Sequence, residues 1–159
     1  MAKLSKKESS FKGTIGKTLN DSEPWFELPQ HPGEDAPNVV VVLLDDTGFA
    51  QLGCYGSSID TENIDNLAAD GMQFTNFHVT PLCSPTRASL LTGRSQHAVG
   101  MRSVSNFRTG FPHMLGHITN EAATMAEIFQ AEGYATFCAG KWHLAPMENC
   151  SSAGPFDQW

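Results

Sequence analysis

The run NVVVVLLDD, residues 38–46, most restricts what this chain can fold into. Six consecutive aliphatic residues, four of them valine, leave this segment without a polar face. A strand that is solvated on one side alternates apolar and polar residues, whereas a continuous apolar run is typical of a central strand in a parallel sheet. Pro37 bounds the run on one side and two acidic residues bound it on the other. We therefore expect an α/β fold.

The segments that follow alternate between helical and strand patterns. Helices are expected over residues 61–71, near Pro85 and over residues 124–133. Helix caps are expected at Thr61, Gly71, Thr124, Glu127 and Gly133. Strands are expected over residues 72–80 and 135–144, and a long ordered loop over residues 95–119. This order predicts a mostly parallel, doubly wound sheet with flanking helices, of which the chain would form a truncated N-terminal part.

The charge of the chain argues against one class of partner. Ten Lys and Arg residues against seventeen Asp and Glu residues give a net charge of −7, whereas nucleic-acid binding needs clustered positive charge. No apolar stretch is long enough to span a bilayer and no secretory signal is visible, so we expect no membrane span and a cytoplasmic location. Residues 1–37, with many lysines and prolines, are expected to form an arm before an incomplete domain over residues 38–159.

Three pairs of polar residues lie at or near the expected strand ends, where ligands bind in open α/β sheets. The first pair is Asp45 and Asp46, directly after the apolar run. Adjacent carboxylates repel each other, and a hard divalent cation would relieve that repulsion through oxygen coordination. The alternative is that the two residues form a turn and cap the next element.

The second pair is Cys83 and Arg87, in the sequence CSPTR. If a helix begins near Pro85, its N-terminal amides point toward the Cys83 side chain, and Arg87 lies one turn later. Helix amides and a guanidinium together favour a tetrahedral anion. The alternative is a buried, inert thiol with a surface arginine.

The third pair is Lys141 and His143, in the sequence GKWHL. Residues two apart in an extended segment point to the same side, so both could face one site while Trp142 packs the other way. Lysine supplies a fixed charge, and histidine can carry a proton near neutral pH. The alternative is an ordinary polar strand edge. We expect all three pairs to converge on one rim of the sheet.

The motifs that carry these residues resemble a type I sulfatase of the arylsulfatase family, within the alkaline phosphatase-like superfamily. CSPTRASLLTGR is similar to that family's C-x-P-x-R element and its continuation. PNVVVVLLDDTGFAQLGCYG resembles its metal-binding first strand and loop, and EGYATFCAGKWHL resembles its lysine and histidine segment. The resemblance covers residues 37–143, with the motifs in the family's order.

The resemblance implies a particular chemistry for each residue. A formylglycine-generating maturase would oxidise Cys83 to Cα-formylglycine, whose hydrated form attacks the sulfur of a small-molecule sulfate ester. Asp45, Asp46 and the diol at position 83 would bind a divalent cation, most often calcium, with magnesium as the alternative. Arg87 would hold the diol. Lys141 and His143 would contact the diol and the sulfate, and His143 could accept the proton when sulfate is expelled.

Three other functions remain open at this point. The same superfamily includes formylglycine-dependent phosphonate and phosphodiester hydrolases, and the C-x-P-x-R motif does not distinguish them from sulfatases. A truncated chain could serve as a non-catalytic binding module. An ordinary cysteine hydrolase would leave Asp45 and Asp46 unexplained. The family places further metal ligands, and the groups near the leaving alcohol, beyond the residues matched here, so we expect this chain by itself to be an inactive fragment.

Overall fold

A computed structural model describes residues 11–26 and 31–146 of the chain. Three α-helices lie in this part: α1 (Glu62–Asp70), α2 (Cys83–Thr92) and α3 (Met125–Ala131). Three short 3-10 helices accompany them: Leu19–Asp21, Phe49–Gln51 and Gly53–Tyr55. No helix in this described part is both long and apolar enough to cross a lipid bilayer.

Helix α1 forms where it was expected, but its start is stabilised differently. Thr61 precedes the helix without accepting a capping hydrogen bond from it. Its Oγ1 accepts instead from the backbone N–H of Gly53 (2.8 Å) and donates to Asp65 (2.9 Å), which ties the helix to the preceding 3-10 turn. Gly71 ends the helix in an extended conformation (φ −123°) rather than a left-handed one. Leu67 of this helix is 73% exposed.

Helix α3 begins and ends as expected. The Thr124 hydroxyl accepts from the Glu127 N–H (3.3 Å), and the Glu127 carboxylate accepts from the Thr124 N–H (2.6 Å), which together make a capping box. Gly133 follows the helix with φ 89°, a left-handed conformation that favours glycine. The residues that cap this helix are close together in the sequence, so its two ends could be predicted from the sequence alone.

The expected strands do not form in the described part of the chain. Residues 38–44, 72–80 and 135–144 form no strand. The β-bridges in the described residues lie elsewhere, as two isolated antiparallel pairs, Thr14–Glu23 and Met101–Met114. Val40 and Val42 of the apolar run are 83% and 77% exposed. A central parallel strand needs a hydrogen-bonded neighbour on each edge and packing on both faces. No other described segment pairs with residues 38–44, so the apolar composition of this run is not enough to form a sheet.

The buried core lies beneath α2. It consists of Ala88 from α2, residues of the following loop, and Leu144; its members are Ala88, Val99, Met101, Ile118, Ala122 and Leu144. Leu91 and Trp142 pack against it. Residues 95–119 form the expected loop, which folds back on itself through hydrogen bonds such as Leu115 N–H to Gly100 O (2.9 Å). This core brings the start of α2 close to residues 141–144.

The arm contacts the domain through the backbone of His31. Trp25 packs edge-on against Phe11 within the arm (ring centroids 6.4 Å apart), and Phe26 is 81% exposed. The backbone of His31 instead lies against Gly133, where an added Cβ would come within 2.9 Å of the His31 carbonyl carbon. Residues 1–10 and 27–30 of the predicted arm lie outside the described residues.

Candidate active site

Helix α2 presents Cys83 and Arg87 from its first two turns. Leu82 precedes the helix in an extended conformation (φ −130°, ψ 148°), so Cys83 is the first helical residue. Pro85 is buried in the first turn, where its missing N–H costs no intrahelical hydrogen bond. Arg87, four residues after Cys83, lies on the same side of the helix. The sequence therefore places a thiol and a guanidinium together at a helix N-terminus.

The segment that carries Lys141 and His143 is held by its neighbours. Trp142 and Leu144 pack into the core, and Leu144 is fully buried, while the His143 side chain contacts Cys83 of α2 and the Lys141 side chain contacts Asp45. The two polar side chains thus contact the other site residues while Trp142 packs against the core, although the segment is not the strand from which this was expected. His143 has φ 55°, a left-handed conformation that is strained for a residue with a Cβ. Strain of this kind persists only where surrounding packing enforces it.

Cys83 and His143 are in direct contact. The Cys83 Sγ lies 3.1 Å from His143 Nδ1, and the other ring nitrogen, Nε2, lies 2.7 Å from Asn106 Oδ1. Burial lowers the pKa of His143 below its ordinary value, and the positive charges of Lys141 and Arg87 lower it further. The imidazole is therefore biased toward its neutral form, which can accept a proton through one nitrogen.

Asp45 joins the two cationic residues. Its Oδ1 accepts from Arg87 Nη2 (3.1 Å), and its Oδ2 accepts from Lys141 Nζ (2.6 Å). Arg87 Nη1 also donates to the Lys141 carbonyl (2.5 Å). The hydrogen bond from Lys141, followed by that from Arg87, lowers the pKa of Asp45, and the hydrogen bond to Asp45 raises the pKa of Lys141. The three charged groups thus form one network next to Cys83.

One buried donor of the Arg87 guanidinium has no partner in the described part of the chain. Its Nε is buried and has no hydrogen-bond partner among the described residues. Buried donors without a partner are uncommon in folded proteins, and at a site such as this one an anionic group is the natural acceptor.

The described residues offer only part of a ligand set for a metal ion. Asp45 and Asp46 offer oxygen ligands of the kind that calcium and magnesium prefer. Asp46 has φ 52° and forms no hydrogen bond or ion pair with Cys83, Arg87 or Lys141. Within the described residues, no three His, Cys, Asp or Glu side chains lie close enough to hold a metal ion. The two carboxylates are therefore the right kind of ligand for a hard cation, but two are too few to hold one.

The structure thus brings together five of the six residues singled out in the sequence. Asp45, Arg87 and Lys141 form one hydrogen-bonded group and Cys83 and His143 form another, and the bonded pairs lie up to 96 residues apart in sequence. Asp46 follows Asp45 in the sequence but forms no hydrogen bond or ion pair with the other four residues. Asn106 belongs to the cluster and was not anticipated, because it lies in a loop with no recognisable motif. Only its distance from His143 reveals it.

Comparison with known proteins decides the family. The sulfatase family model matches residues 37–159, more than three quarters of the chain. The chain belongs to the sulfatase family. Members of this family have an alkaline phosphatase-like α/β fold and generally use a formylglycine and a divalent metal.

Individual sulfatases match over shorter stretches. Human arylsulfatase A is 47% identical over 113 residues, which cover 68% of this chain and 21% of that protein. An uncharacterized sulfatase of Schizosaccharomyces pombe is 40% identical over 115 residues, with the same two coverages of 68% and 21%. Rat N-acetylgalactosamine-6-sulfatase is 39% identical over 130 residues, covering 77% of this chain and 25% of the relative. The chain therefore spans between a fifth and a quarter of the length of these relatives.

Proposed function

We propose that this segment supplies the nucleophile half of a sulfatase active site, which hydrolyses sulfate esters. The observation that carries the proposal is the cluster itself: a thiol at a helix start, in contact with a histidine, beside an Asp45–Arg87–Lys141 network. In a chain of the sulfatase family this cluster has a specific chemical use. Residues 38–159 would then be the N-terminal portion of a catalytic domain built on a doubly wound sheet, preceded by an arm over residues 1–37.

The nucleophile would be derived from Cys83. A maturation enzyme would oxidise its side chain to an aldehyde, so that the Sγ position is taken by the oxygens of the hydrated form. One hydroxyl oxygen attacks the ester sulfur as its O–H bond breaks, and the ester oxygen takes the electrons of the broken S–O bond and gains a proton, so that it leaves as the alcohol. The second hydroxyl then loses its proton, its electrons form the carbonyl, and sulfate leaves with the electrons of the broken C–O bond.

The neighbouring side chains suit these steps. His143 Nδ1 already faces position 83 at 3.1 Å, the right place to accept the hydroxyl proton. Arg87 and Lys141 carry positive charge next to that position, where the sulfate charge must be offset. Arg87 Nε is buried and has no partner among the described residues, so it would be a further donor to that anion. Residue 83 is the only member of the cluster that forms a covalent bond to the substrate in this scheme.

The divalent cation would be held in part by this chain. Asp45, Asp46 and the diol at position 83 would be its oxygen ligands, calcium being favoured over magnesium. When bound, the cation supplies positive charge that polarises the sulfate. Since the described residues offer too few ligands, further oxygen atoms would have to come from residues other than these. Each Asp45 oxygen accepts one hydrogen bond, which leaves a second lone pair on each oxygen for the metal ion.

Conversion of Cys83 is the first test of this proposal. The chain is produced with and without a formylglycine-generating enzyme, and the peptide that contains Cys83 is weighed before and after a hydrazide probe. We expect an aldehyde mass that shifts with the probe. Cys54 and Cys138, which are also free thiols but lack the C-x-P-x-R sequence, are internal controls and should stay unmodified. An unchanged Cys83 beside a converted control substrate would refute a formylglycine nucleophile.

Activity requires the remainder of a sulfatase. The matching segment of human arylsulfatase A, 47% identical, can be replaced by this one, and the chimera assayed on an aryl sulfate and an aryl phosphate diester. We expect faster hydrolysis of the sulfate, abolished by Cys83→Ala. A folded chimera that prefers the diester would instead indicate a phosphodiester hydrolase. Calcium binding without turnover of either ester would indicate a non-catalytic module.

A further inference from the structure

We propose that Asn106 is a positioning residue that holds the proton of the His143 imidazole on Nε2 and so leaves Nδ1 free to act as a base toward position 83. The inference rests on the proposed function, because it assigns a chemical task to the histidine of that site. It concerns a residue in a loop that carries no sequence motif. Its basis is the chain of contacts Cys83–His143–Asn106.

The geometry joins both ring nitrogens to partners of different kinds. Nδ1 faces the Cys83 Sγ at 3.1 Å, and Nε2 faces the Asn106 Oδ1 at 2.7 Å. A carbonyl oxygen can only accept a hydrogen bond, so the Nε2 nitrogen must be the donor. A neutral imidazole carries one proton, which leaves the Nδ1 lone pair directed at position 83.

The opposite arrangement satisfies the site less well. If the Asn106 amide group donated to Nε2, the proton would lie on Nδ1 and would point at the sulfur. A neutral thiol is a weak acceptor, and its own S–H would then be left without this partner. With Nε2–H donating to Asn106, the thiol can donate to Nδ1, and both ring nitrogens of His143 are used.

The loop around Asn106 is fixed next to α2. The Ser105 backbone N–H donates to the Ser84 hydroxyl (3.2 Å), and both residues are buried, at 2% and 0% exposure. Ser84 directly follows Cys83, so this hydrogen bond attaches the loop beside the proposed nucleophile. Phe107 N–H also donates to Val104 O (3.0 Å), which closes a turn with Asn106 inside it. Two hydrogen bonds therefore hold the turn from which the Asn106 side chain reaches His143.

A turn position offers a simpler explanation for an asparagine. Asn is favoured in turns because its side chain bonds to nearby backbone and tolerates unusual φ angles. The two explanations differ in what glycine and aspartate do. Glycine preserves the turn and removes the acceptor, whereas aspartate preserves both the turn and an accepting oxygen. Asn106→Gly and Asn106→Asp therefore separate the two roles.

The task that follows is proton acceptance at one defined atom. During expulsion of sulfate the hydroxyl proton on residue 83 would move to Nδ1, forming an N–H bond as the O–H bond breaks. The opposite tautomer would present an N–H at the same place and could not accept that proton. Asn106 acts through His143 and does not itself touch the reacting atoms.

The test reads the tautomer of His143 in this chain without relying on activity. Protein labelled with 15N-histidine is studied by long-range 1H–15N correlation at about pH 8, where an ordinary imidazole is neutral. Six histidines contribute, and His143→Gln assigns the signal. We expect an unprotonated Nδ1 and a protonated Nε2. In Asn106→Gly the ratio of Nε2–H to Nδ1–H should fall about fivefold, as expected for one net hydrogen bond, and Asn106→Asp should restore it.

A second asparagine–histidine pair provides the control. Asn76 Oδ1 lies 2.7 Å from His78 Nε2, but this exposed pair has no cysteine on the other nitrogen. His78 should be unchanged in the Asn106 variants, and Asn76→Gly should alter His78 alone. A proton on Nδ1 of His143 in the unaltered chain, or an unchanged ratio in Asn106→Gly, would overturn the proposal. Because conversion of Cys83 is measured separately, a failure of the tautomer test leaves the proposed nucleophile standing, and the reverse also holds.

Discussion

Replacing Ser84 with alanine should destabilise the chain through a single lost hydrogen bond. Ser84 is fully buried in the first turn of α2, and its hydroxyl accepts the Ser105 N–H at 3.2 Å. In Ser84→Ala this buried N–H has no acceptor in place of the hydroxyl. An unsatisfied buried backbone group costs about 1–3 kcal/mol. Alanine is also the better helix former, by about 0.5 kcal/mol, and this gain partly offsets the loss.

A matched variant in the same helix removes the propensity effect. Ser89 is half-buried, and its hydroxyl makes only a long contact to Gln96 (3.4 Å). Ser89→Ala therefore has the same gain in helix propensity without leaving a buried N–H unpaired. Urea unfolding followed by far-UV circular dichroism gives the two free energies of unfolding. We expect Ser84→Ala to be less stable than Ser89→Ala by about 1–3 kcal/mol. Equal stabilities would refute the view that Ser84 fastens the loop to the helix.

Three further predictions concern the core, a helix cap and the charged network. Met101→Ala, at a fully buried core position, should cost about 2–5 kcal/mol in urea unfolding; a loss well below this range would contradict its place in the core. Thr124→Ala should cost about 1 kcal/mol and reduce helicity, because it removes the acceptor for the Glu127 N–H; unchanged circular dichroism would count against the cap. The pKa of Asp45 should lie below its ordinary value in a carboxyl NMR titration and should rise in Lys141→Met. Since the folded-state pKa is the lower one, the stability it contributes is present above the ordinary value and is lost as pH falls through the folded-state value; an unshifted midpoint would rule this out.

The parts of the fold that could be read from the sequence are those determined locally. The capping box of α3 and the start of α2 near Pro85 are set by residues within one turn, and both form as expected. The sheet could not be obtained in this way, because a strand is defined by a partner distant in sequence. The run over residues 38–44 has the composition of a buried strand, and the described residues leave it exposed.

The candidate site was readable for a related reason. Asp45, Cys83 and His143 each occur in a short motif whose residue types have a clear chemical use. The sequence predicted that these residues meet because they would lie at neighbouring strand ends. In the structure they are brought together by a core of loop and helix residues. Asn106 has no such motif. An asparagine in a loop rich in glycine and serine is typical of many turns, and only tertiary structure gives it a histidine to contact.

The contact between Cys83 and His143 spans 60 residues of sequence, and this separation determines when it can form during synthesis. Ribosomes add roughly 5–20 residues per second, so His143 is made about 3–12 s after Cys83. Leu144, which completes the core beneath α2, is made later still. Throughout that interval the thiol has neither its histidine partner nor a finished core behind it. A modifying enzyme that acts on the growing chain would therefore meet Cys83 in an open segment, before the site that later encloses it exists.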